Sequence, residues 1–173
     1  MNLVVEPTGR SSGNLICGEL RFRCALGRGG VRADKREGDG ATPVGTFVLR
    51  RLYYRADRMA RPVCGFATEA LDPAFGWCDD PDHADYNRFV TLPFDGGHEL
   101  LWRADALYDI VVVIGYNDAP IVAGAGSAIF LHIATPDYGA TEGCVALAPD
   151  DLRQVLLACD AASTIRILPA RIG

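Results

Sequence analysis

The sequence lacks a hydrophobic run that could cross a membrane: its longest candidate, residues 110–114, is far below the roughly 20 residues that a spanning helix needs. It also lacks a basic excess, because 17 lysines and arginines stand against 22 aspartates and glutamates, for a net charge of −5. Nucleic-acid-binding proteins normally present a basic face, so this balance argues against a nucleic-acid partner. Residues 1–7 contain neither the basic start nor the apolar stretch of a signal peptide. The chain then stays inside the cell, has lost an export signal, or leaves by another route.

Cysteines at metal-binding spacings are missing as well. The six cysteines follow no zinc pattern, and several lie in apolar, strand-like stretches where a thiol acts as a small hydrophobe. We predict reduced structural thiols apart from Cys144; the alternative is a Cys17–Cys24 bridge across a hairpin. His83 and His98, with their acidic neighbours, also lack a regular ligand spacing, so no metal site is predicted.

The composition is that of a folded domain. The 173 residues are 49% hydrophobic and 23% charged, which favours one domain over residues 1–173 with a substantial core. Residues 20–26 alternate apolar and charged side chains, the period of a half-buried strand. Short apolar stretches separated by turn residues predict further strands. The predicted strands are residues 3–5, 15–17, 20–25, 47–53, 108–114, 129–133, 145–147 and 164–168.

One helix is predicted, from Pro149 to about residue 159. Proline suits the first helical position, and Asp150 and Asp151 lie where the helix dipole favours carboxylates. Four apolar residues then repeat at helical spacing and form one stripe. They are Leu152, Val155, Leu156 and Cys159. A strand-rich chain with this helix predicts a mainly β fold, a β-sandwich or partly closed barrel with one or two helices.

The middle of the chain, about residues 55–103, is predicted to have irregular structure. It is rich in proline, aspartate and aromatic residues. Long loops inside a compact domain usually serve function. The segment is therefore a candidate for contact with a substrate.

His132 and Cys144 are the candidate catalytic pair. His132 lies in the apolar stretch 129–133, and a turn-forming loop separates it from Cys144, which precedes another apolar stretch. A cysteine nucleophile needs a base within hydrogen-bond reach, because the thiolate is the reactive form. From the residues alone, a structural cysteine and a structural histidine are the alternative.

Two motifs resemble the signature of the L,D-transpeptidase catalytic domain, often called the YkuD domain. The first is Ile-Phe-Leu-His at 129–132, followed by Thr-Glu-Gly-Cys-Val-Ala-Leu at 141–147. The second, Thr-Pro-Val-Gly-Thr-Phe at 42–47, is similar to the family's Thr-Pro-x-Gly-x-Phe strand entry. The motifs follow the family's order and span residues 42–147.

The resemblance implies roles for four residues and no cofactor. Cys144 resembles the nucleophile that attacks an L,D peptide bond of a peptidoglycan stem peptide. His132 resembles the base, oriented by the backbone carbonyl of Ile133. The backbone N–H groups of Gly143 and Cys144 resemble the oxyanion hole. The intermediate would be a thioester, resolved by an amine or by water.

The sequence departs from the family pattern at three points. Glu142 replaces the histidine that usually precedes Gly-Cys, and an ionised carboxylate raises the pKa of a nearby thiol. The short spacing between His132 and Cys144 implies a clipped loop and a more open site. Ala146 stands where an arginine or asparagine is frequent, so another residue must bind a substrate carboxylate.

We predict that substrate contacts come from the turn before the cysteine and from the middle segment. The turn contributes Thr141 and Glu142. Basic candidates are Arg88, Arg103 and Lys35, each of which is otherwise an ordinary surface charge. Trp77, Tyr86 and Trp102 line a groove or, alternatively, pack beneath the loop. With Asn87, the stretch 77–88 is the predicted substrate-facing loop.

The resemblance implies that the partners are peptidoglycan stem peptides and that the reaction is acyl transfer, with the L-Ala end of the donor stem as one option. A hydrolase, either an L,D-carboxypeptidase or an amidase, is the second hypothesis. A non-catalytic cell-wall binding module is the third. Peptidoglycan as substrate favours the periplasm, with the cytoplasm as the alternative.

Overall fold

A computed structural model describes residues 1–170 of the protein. This part of the chain forms fourteen strands and one helix. The strands are β1 (Asn2–Pro7), β2 (Ser12–Cys17), β3 (Leu20–Ala25), β4 (Val31–Arg32), β5 (Thr42–Pro43), β6 (Gly45–Tyr54), β7 (Thr68–Ala70), β8 (Phe75–Cys78), β9 (Phe89–Thr91), β10 (His98–Leu100), β11 (Ile110–Ile114), β12 (Phe130–Ile133), β13 (Val145–Leu147) and β14 (Thr164–Ile167). The helix, α1, is Pro149–Leu157.

Eight of these strands close into a barrel. Their order is β6, β11, β12, β13, β3, β2, β1 and β14, and β14 pairs again with β6. Closure depends on the length of β6, whose first half pairs with β14 and whose second half pairs with β11 on the opposite edge. The fold is therefore mainly β, as predicted, and the barrel is closed where the sequence suggested partial closure.

The barrel interior is filled by alternate residues of its strands. Phe22 and Cys24 of β3 point inward, whereas Arg21 and Arg23 point outward, which confirms the predicted alternation. Strands β12 and β13 contribute Leu131 and Val145 to the same interior cluster. Buried apolar area is the main stabilising contribution here.

Helix α1 packs its predicted stripe into the interior cluster. Leu152, Val155 and Leu156 are fully buried, and Cys159 is also buried. The helix ends at Leu157, slightly earlier than predicted, and Ala158 forms its C-cap. Pro149 and the two following aspartates occupy the first turn as expected.

The middle segment is more ordered than its composition suggested. Within residues 55–103, strands β8, β9 and β10 form a small separate sheet with β8 in the centre. This sheet packs on the outer face of the barrel through aromatic contacts, among them Trp77 against Phe130 at 5.4 Å between ring centroids. Strands of three or four residues carry too little periodicity to be recognised in the sequence. Apart from these three strands and β7, the segment is irregular, as predicted.

All six cysteines are free thiols. Cys17 faces Leu20 across the β2–β3 hairpin, and Cys24 faces Gly13, so the alternative of a Cys17–Cys24 bridge is wrong. No helix within residues 1–170 is long and apolar enough to span a membrane.

Candidate active site

Strands β12 and β13 bring His132 and Cys144 together on one face. The two strands are parallel, and His132 lies opposite Ala146. Cys144 is two residues before Ala146, and side chains two apart on a strand share a face. Since Leu131 and Val145 fill the barrel interior, His132 and Cys144 lie on the outer face, beneath the middle segment.

The cysteine sulfur contacts backbone groups at the start of β12. The N–H of Phe130 donates to Sγ at 3.3 Å, and the thiol donates to the carbonyl of Ala128 at 3.4 Å. Ala128 adopts a positive φ of 52°, which is uncommon for a residue with a Cβ and directs this carbonyl. Within residues 1–170, no hydrogen bond joins the sulfur of Cys144 to His132.

The backbone carbonyl of Ile133 contacts and orients the imidazole of His132. Nδ1 lies 2.8 Å from that carbonyl oxygen, so Nδ1 carries the hydrogen and Nε2 holds a free lone pair. The ring of Tyr108 packs edge-on against the imidazole at 5.1 Å between centroids. His132 is therefore held in the tautomer that a general base at Nε2 requires.

Burial sets the protonation states of the pair. It lowers the pKa of His132 to about 4 and raises the pKa of the Cys144 thiol to about 12, with the charge of Glu99 as the next cause for the thiol. Both groups are accordingly neutral at pH 7. The resting pair is a thiol and an imidazole, without a preformed ion pair.

A cavity of about 530 Å³ opens over this pair. It holds both predicted catalytic side chains and three of the predicted substrate-binding residues, namely Thr141, Glu142 and Arg103. Its other walls include residues that sequence reasoning missed. The principal ones are Glu37, Asp79, His98, Glu99 and Tyr108.

Tyr108 and Glu99 are the missed residues nearest to the chemistry. The Tyr108 hydroxyl donates a hydrogen bond to the Glu99 carboxylate, and both side chains are largely buried. Glu99 lies opposite Trp77 in the small sheet. The strand register that places it at the cavity depends on pairing β10 with β8, and no local pattern in the sequence indicates that pairing.

The turn before the cysteine is closed by Thr141. Its hydroxyl donates to the carbonyl of Cys144 at 2.7 Å and accepts from the N–H of Gly143 at 3.2 Å. The N–H predicted for the oxyanion hole is thus occupied in this state. Glu142 extends to the surface, where Arg28 Nε donates to both carboxylate oxygens at 2.8 and 2.9 Å. Its charge contributes least among the causes that raise the thiol pKa.

The Thr-Pro motif packs behind this turn. Thr42 is fully buried and accepts a hydrogen bond from the N–H of Gly27 at 2.8 Å. A Cβ on Gly143 would lie 2.8 Å from the carbonyl oxygen of Ala41. The turn before Cys144 therefore lies against the residue that precedes the Thr-Pro motif, although the two are far apart in the sequence.

We expect Gly143→Ala to destabilise the protein by about 2 kcal/mol or more, because its φ of 136° disfavours a side chain and the new Cβ meets backbone. Denaturant unfolding measures the loss. Gly18→Ala is the matched control: Gly18 also has a positive φ, but nothing lies within 4 Å of its Cβ position. Equal losses in the two variants would contradict the predicted clash.

From the predicted loop 77–88, the structure brings Asp79 to the cavity of Cys144 but not the four residues predicted to contact substrate. Trp77, Asn87 and Arg88 line a different cavity, over β6 and β11. Tyr86 is buried, and its hydroxyl donates to Glu37, which lines the cavity of Cys144. Substrate contact by these four residues stays a prediction. They do not line the cavity that contains Cys144.

Two other candidates are held by internal contacts. Lys35 is buried and binds Asp39 at 2.8 Å, and it does not line the cavity of Cys144. Trp102 stacks against the guanidinium of Arg55 at 3.7 Å, which supports the packing alternative. Arg103 does line the cavity, with its guanidinium bound to both carboxylate oxygens of Asp105.

Asn87 uses its whole amide group inside the protein. Its Oδ1 accepts from Trp77 Nε1 and from the N–H of Ala128, and its Nδ2 donates to the carbonyls of Tyr116 and Asn117. These bonds fix the bend that leads into β12 and therefore the carbonyl that contacts Cys144.

We expect Asn87→Ala to lower the free energy of unfolding by about 3 kcal/mol or more, because several buried partners lose their hydrogen bonds. Denaturant unfolding provides the measurement. Arg88→Ala is the control, since this exposed side chain makes no ion pair with the described residues, and we expect a change within about 0.5 kcal/mol. An Asn87 variant as stable as the Arg88 variant would contradict the assignment.

The low pKa of His132 also predicts a pH dependence of stability. The imidazole is neutral when folded down to about pH 4 but protonates near 6.5 when unfolded, so stability present above 6.5 is lost as the pH falls toward 4. The expected loss is about 3 kcal/mol. Unfolding measured at pH 7 and pH 4.5 in wild type and His132→Gln tests this. The carboxylates titrate in both proteins, so the difference between the two pH dependences belongs to His132. Identical pH slopes would refute it.

The metal candidates are not assembled. Within residues 1–170 no group of three or more potential ligands could hold a metal ion. His83 contacts Asp85 and Asp95 at the surface, and His98 Nδ1 is bound to the carbonyl of Gly96. His98 lies in β10 and lines the cavity.

A family model for the L,D-transpeptidase catalytic domain matches residues 15–167. No curated protein matches the sequence. Among solved structures, the crystal structure of Mycobacterium tuberculosis L,D-transpeptidase 1 aligns with a TM-score of 0.42 and 12% identity. The alignment covers 96% of this chain and 59% of that chain, so this chain spans less than two thirds of its length.

Proposed function

The chain belongs to the L,D-transpeptidase catalytic domain family, and from this premise we propose that it transfers acyl groups between peptidoglycan stem peptides through a thioester on Cys144. The observation that carries the proposal is the placement of Cys144 and His132 on one face of adjacent strands, at the same cavity. The Nε2 atom of His132 is free to accept a proton. A reactive cysteine and a correctly oriented base are the minimum for this chemistry.

The first step couples proton transfer to attack. The thiol hydrogen turns from the carbonyl of Ala128 toward Nε2 of His132, and the sulfur attacks the carbonyl carbon of the stem peptide. The low pKa of His132 and the high pKa of Cys144 disfavour an ion pair before attack. The proton therefore moves as the carbon–sulfur bond forms. Substrate in the cavity replaces water around both groups.

The tetrahedral intermediate carries an oxyanion. We infer that the N–H groups of Gly143 and Cys144 stabilise it, which requires the Gly143 N–H to exchange Thr141 Oγ1 for the oxyanion. The 3.2 Å contact to the Thr141 hydroxyl is long and therefore readily exchanged. A charged acceptor is also the stronger partner for an N–H donor.

The second half of the reaction reverses the proton transfers. His132 gives its proton to the leaving amine, and the thioester remains on Cys144. The acceptor amine then attacks the thioester, loses a proton to His132, and the sulfur departs and recovers that proton. Water in place of the amine produces hydrolysis of the same thioester. Transfer and hydrolysis thus differ only in the acceptor.

The substrate also bears on location and organisation. Peptidoglycan stem peptides are assembled into the wall outside the cytoplasmic membrane, so we propose a periplasmic site of action. We further propose that residues 1–173 act as a single catalytic domain. Detection of the protein in a periplasmic extract, beside a cytoplasmic marker enzyme, tests the location.

The activity is tested by incubating purified protein with disaccharide-tetrapeptide muropeptides and following products by mass spectrometry. Crosslinked dimers, or exchange of the terminal residue for an added D-amino acid, are the expected products. Trimmed monomers alone, unaffected by the added D-amino acid, would indicate a hydrolase. Folded protein that generates none of these products would refute the proposal.

A further inference from the structure

Two segments of the chain meet beside the C-terminal end of α1. The N–H of Gly65 donates to the carbonyl of Cys159 at 2.8 Å, and Gly65 pairs in parallel with Asp160. The approach is close, since a Cβ on Gly65 would lie 3.0 Å from the carbonyl oxygen of Cys159. This parallel register places Cys64 opposite Cys159, one residue before the pair.

The side chains of the two cysteines point to the same side. Gly65 and Asp160 are exposed, whereas Cys159 is buried in the interior cluster and Cys64 packs against that cluster. Side chains alternate along an extended chain, so residues on either side of an exposed pair turn inward together. Burial, followed by the charges of Cys17 and Cys64, raises the pKa of Cys159 to about 11, which shows that these thiols lie within electrostatic reach of one another.

The spacing of Cys64 and Cys159 suits a disulfide. Neighbouring strands lie about 4.8 Å apart, and disulfides join Cα atoms that are about 4.4 to 6.8 Å apart. The structure shows the reduced form, in which each thiol has another partner. Cys159 donates to the carbonyl of Val155 at 3.3 Å, and the sulfur of Cys64 lies 3.2 Å from Oγ1 of Thr68. A thiol is a weak donor, so turning both side chains about their Cα–Cβ bonds costs little.

Cys64 gives an oxidant access to this pair. It is partly exposed, whereas the other five cysteines are buried. A disulfide reagent therefore meets Cys64 first, and Cys159 lies beside it to complete the exchange. Cys17 is the rival partner, because its charge has the larger effect on the thiol of Cys159. Cys17 instead has its strand partners in β1 and β3, so the backbone register favours Cys64.

We propose that Cys64 and Cys159 form a disulfide on exposure to a thiol–disulfide oxidant such as oxidised glutathione. The thiolate of Cys64 attacks the oxidant, which forms a mixed disulfide and releases one glutathione. The thiolate of Cys159 then attacks the sulfur of Cys64, and the second glutathione leaves. Two protein thiols are oxidised and one glutathione disulfide is reduced to two thiols, which take up the two protons. The link joins the C-terminal end of α1 to the segment between β6 and β7.

The test incubates purified protein with oxidised and reduced glutathione, quenches with acid and blocks the remaining thiols with N-ethylmaleimide in denaturant. The reduced protein has six thiols, and we expect the oxidised wild type to retain four. Mass spectrometry of unreduced tryptic peptides should join Cys64 to Cys159. Fragmentation must distinguish Cys64 from Cys78, because no lysine or arginine separates them. Six blockable thiols, glutathione retained on Cys64, or a link from Cys17 to Cys159 would overturn the proposal.

Thermal unfolding measures the effect of the link on the fold. The disulfide closes a loop of about 95 residues, which restricts the unfolded chain. We expect the unfolding midpoint of oxidised wild type to exceed that of the reduced protein by at least about 5 °C. Cys64→Ser should lose this difference, whereas Cys17→Ala should keep it. An undiminished difference in Cys64→Ser would overturn the proposal, and the wild-type peptide map identifies the partner should Cys17→Ala fail to fold.

The disulfide stands apart from the proposed function. Neither Cys64 nor Cys159 lines the cavity of Cys144, and counting thiols requires no turnover. Muropeptide products from a protein that forms no such link would reject the disulfide and keep the transferase. The mapped link in a protein that generates no muropeptide products would keep the disulfide and reject the transferase.

Discussion

Cys144→Ala is expected to abolish formation of the acyl-enzyme and to reduce turnover of muropeptides by at least about 10⁴-fold, because the thioester cannot form without the sulfur. The substitution removes one buried Sγ and leaves the N–H of Phe130 without that acceptor. Intact-protein mass spectrometry detects the adduct, and chromatography of muropeptides measures turnover. Both are compared with wild type at the same protein concentration.

Cys64→Ser is the matched control for the nucleophile. Cys64 is more exposed than the other cysteines and does not line the cavity, so we expect unchanged turnover. Unfolding curves establish that both variants are folded. Turnover of the alanine variant within about tenfold of wild type would show that Cys144 is not the nucleophile, and the proposed thioester would then be wrong.

His132→Gln is expected to reduce kcat/KM by about 10²- to 10⁴-fold, because the amide cannot take the thiol proton. Most of the loss should fall on kcat, since the imidazole acts on the transferring proton and binding depends on the cavity walls. The rate of Cys144 alkylation by a neutral reagent should also fall at pH 7. Kinetics with a defined stem peptide separates kcat from KM.

His83→Gln is the control for the base. His83 lies in a surface loop, contacts two aspartates and does not line the cavity, so kcat/KM should not change. An effect on KM alone in His132→Gln would indicate a role in binding. Wild-type kcat in that variant would exclude His132 as the base, and the proposed proton transfers would then be wrong.

The structure changes how one of the sequence departures is understood. Glu142 was expected to perturb the nucleophile, yet its carboxylate is bound by Arg28 at the surface and is a minor cause of the raised thiol pKa. Glu99, which no motif indicated, has the larger electrostatic influence after burial. An exposed charge is screened by water, whereas a buried one acts through a less polarisable medium.

The sequence by itself determined the features that depend on neighbours along the chain. Alternation identified β3 as residues 20–25, and a stripe at helical spacing identified α1, with its proline and acidic first turn. The Gly-Cys turn and the strand that ends near His132 indicated the candidate catalytic pair, because a cysteine nucleophile and its base require particular residue types. Each of these signals spans a few residues and can be recognised without knowledge of the rest of the fold.

Only the tertiary structure decided the features that depend on long-range pairing. Closure of the barrel required β6 to pair with β11 and β14 on opposite edges. The local sequence pattern of β6 does not indicate that it pairs with two strands. Glu37, Asp79 and Glu99 come from three separate segments and meet at the cavity of Cys144. Asn87, predicted to touch substrate, became a buried bridge because its amide could satisfy four backbone and side-chain partners at once. Polar residues at a surface and polar residues that complete a buried network look alike in sequence, and burial alone distinguishes them.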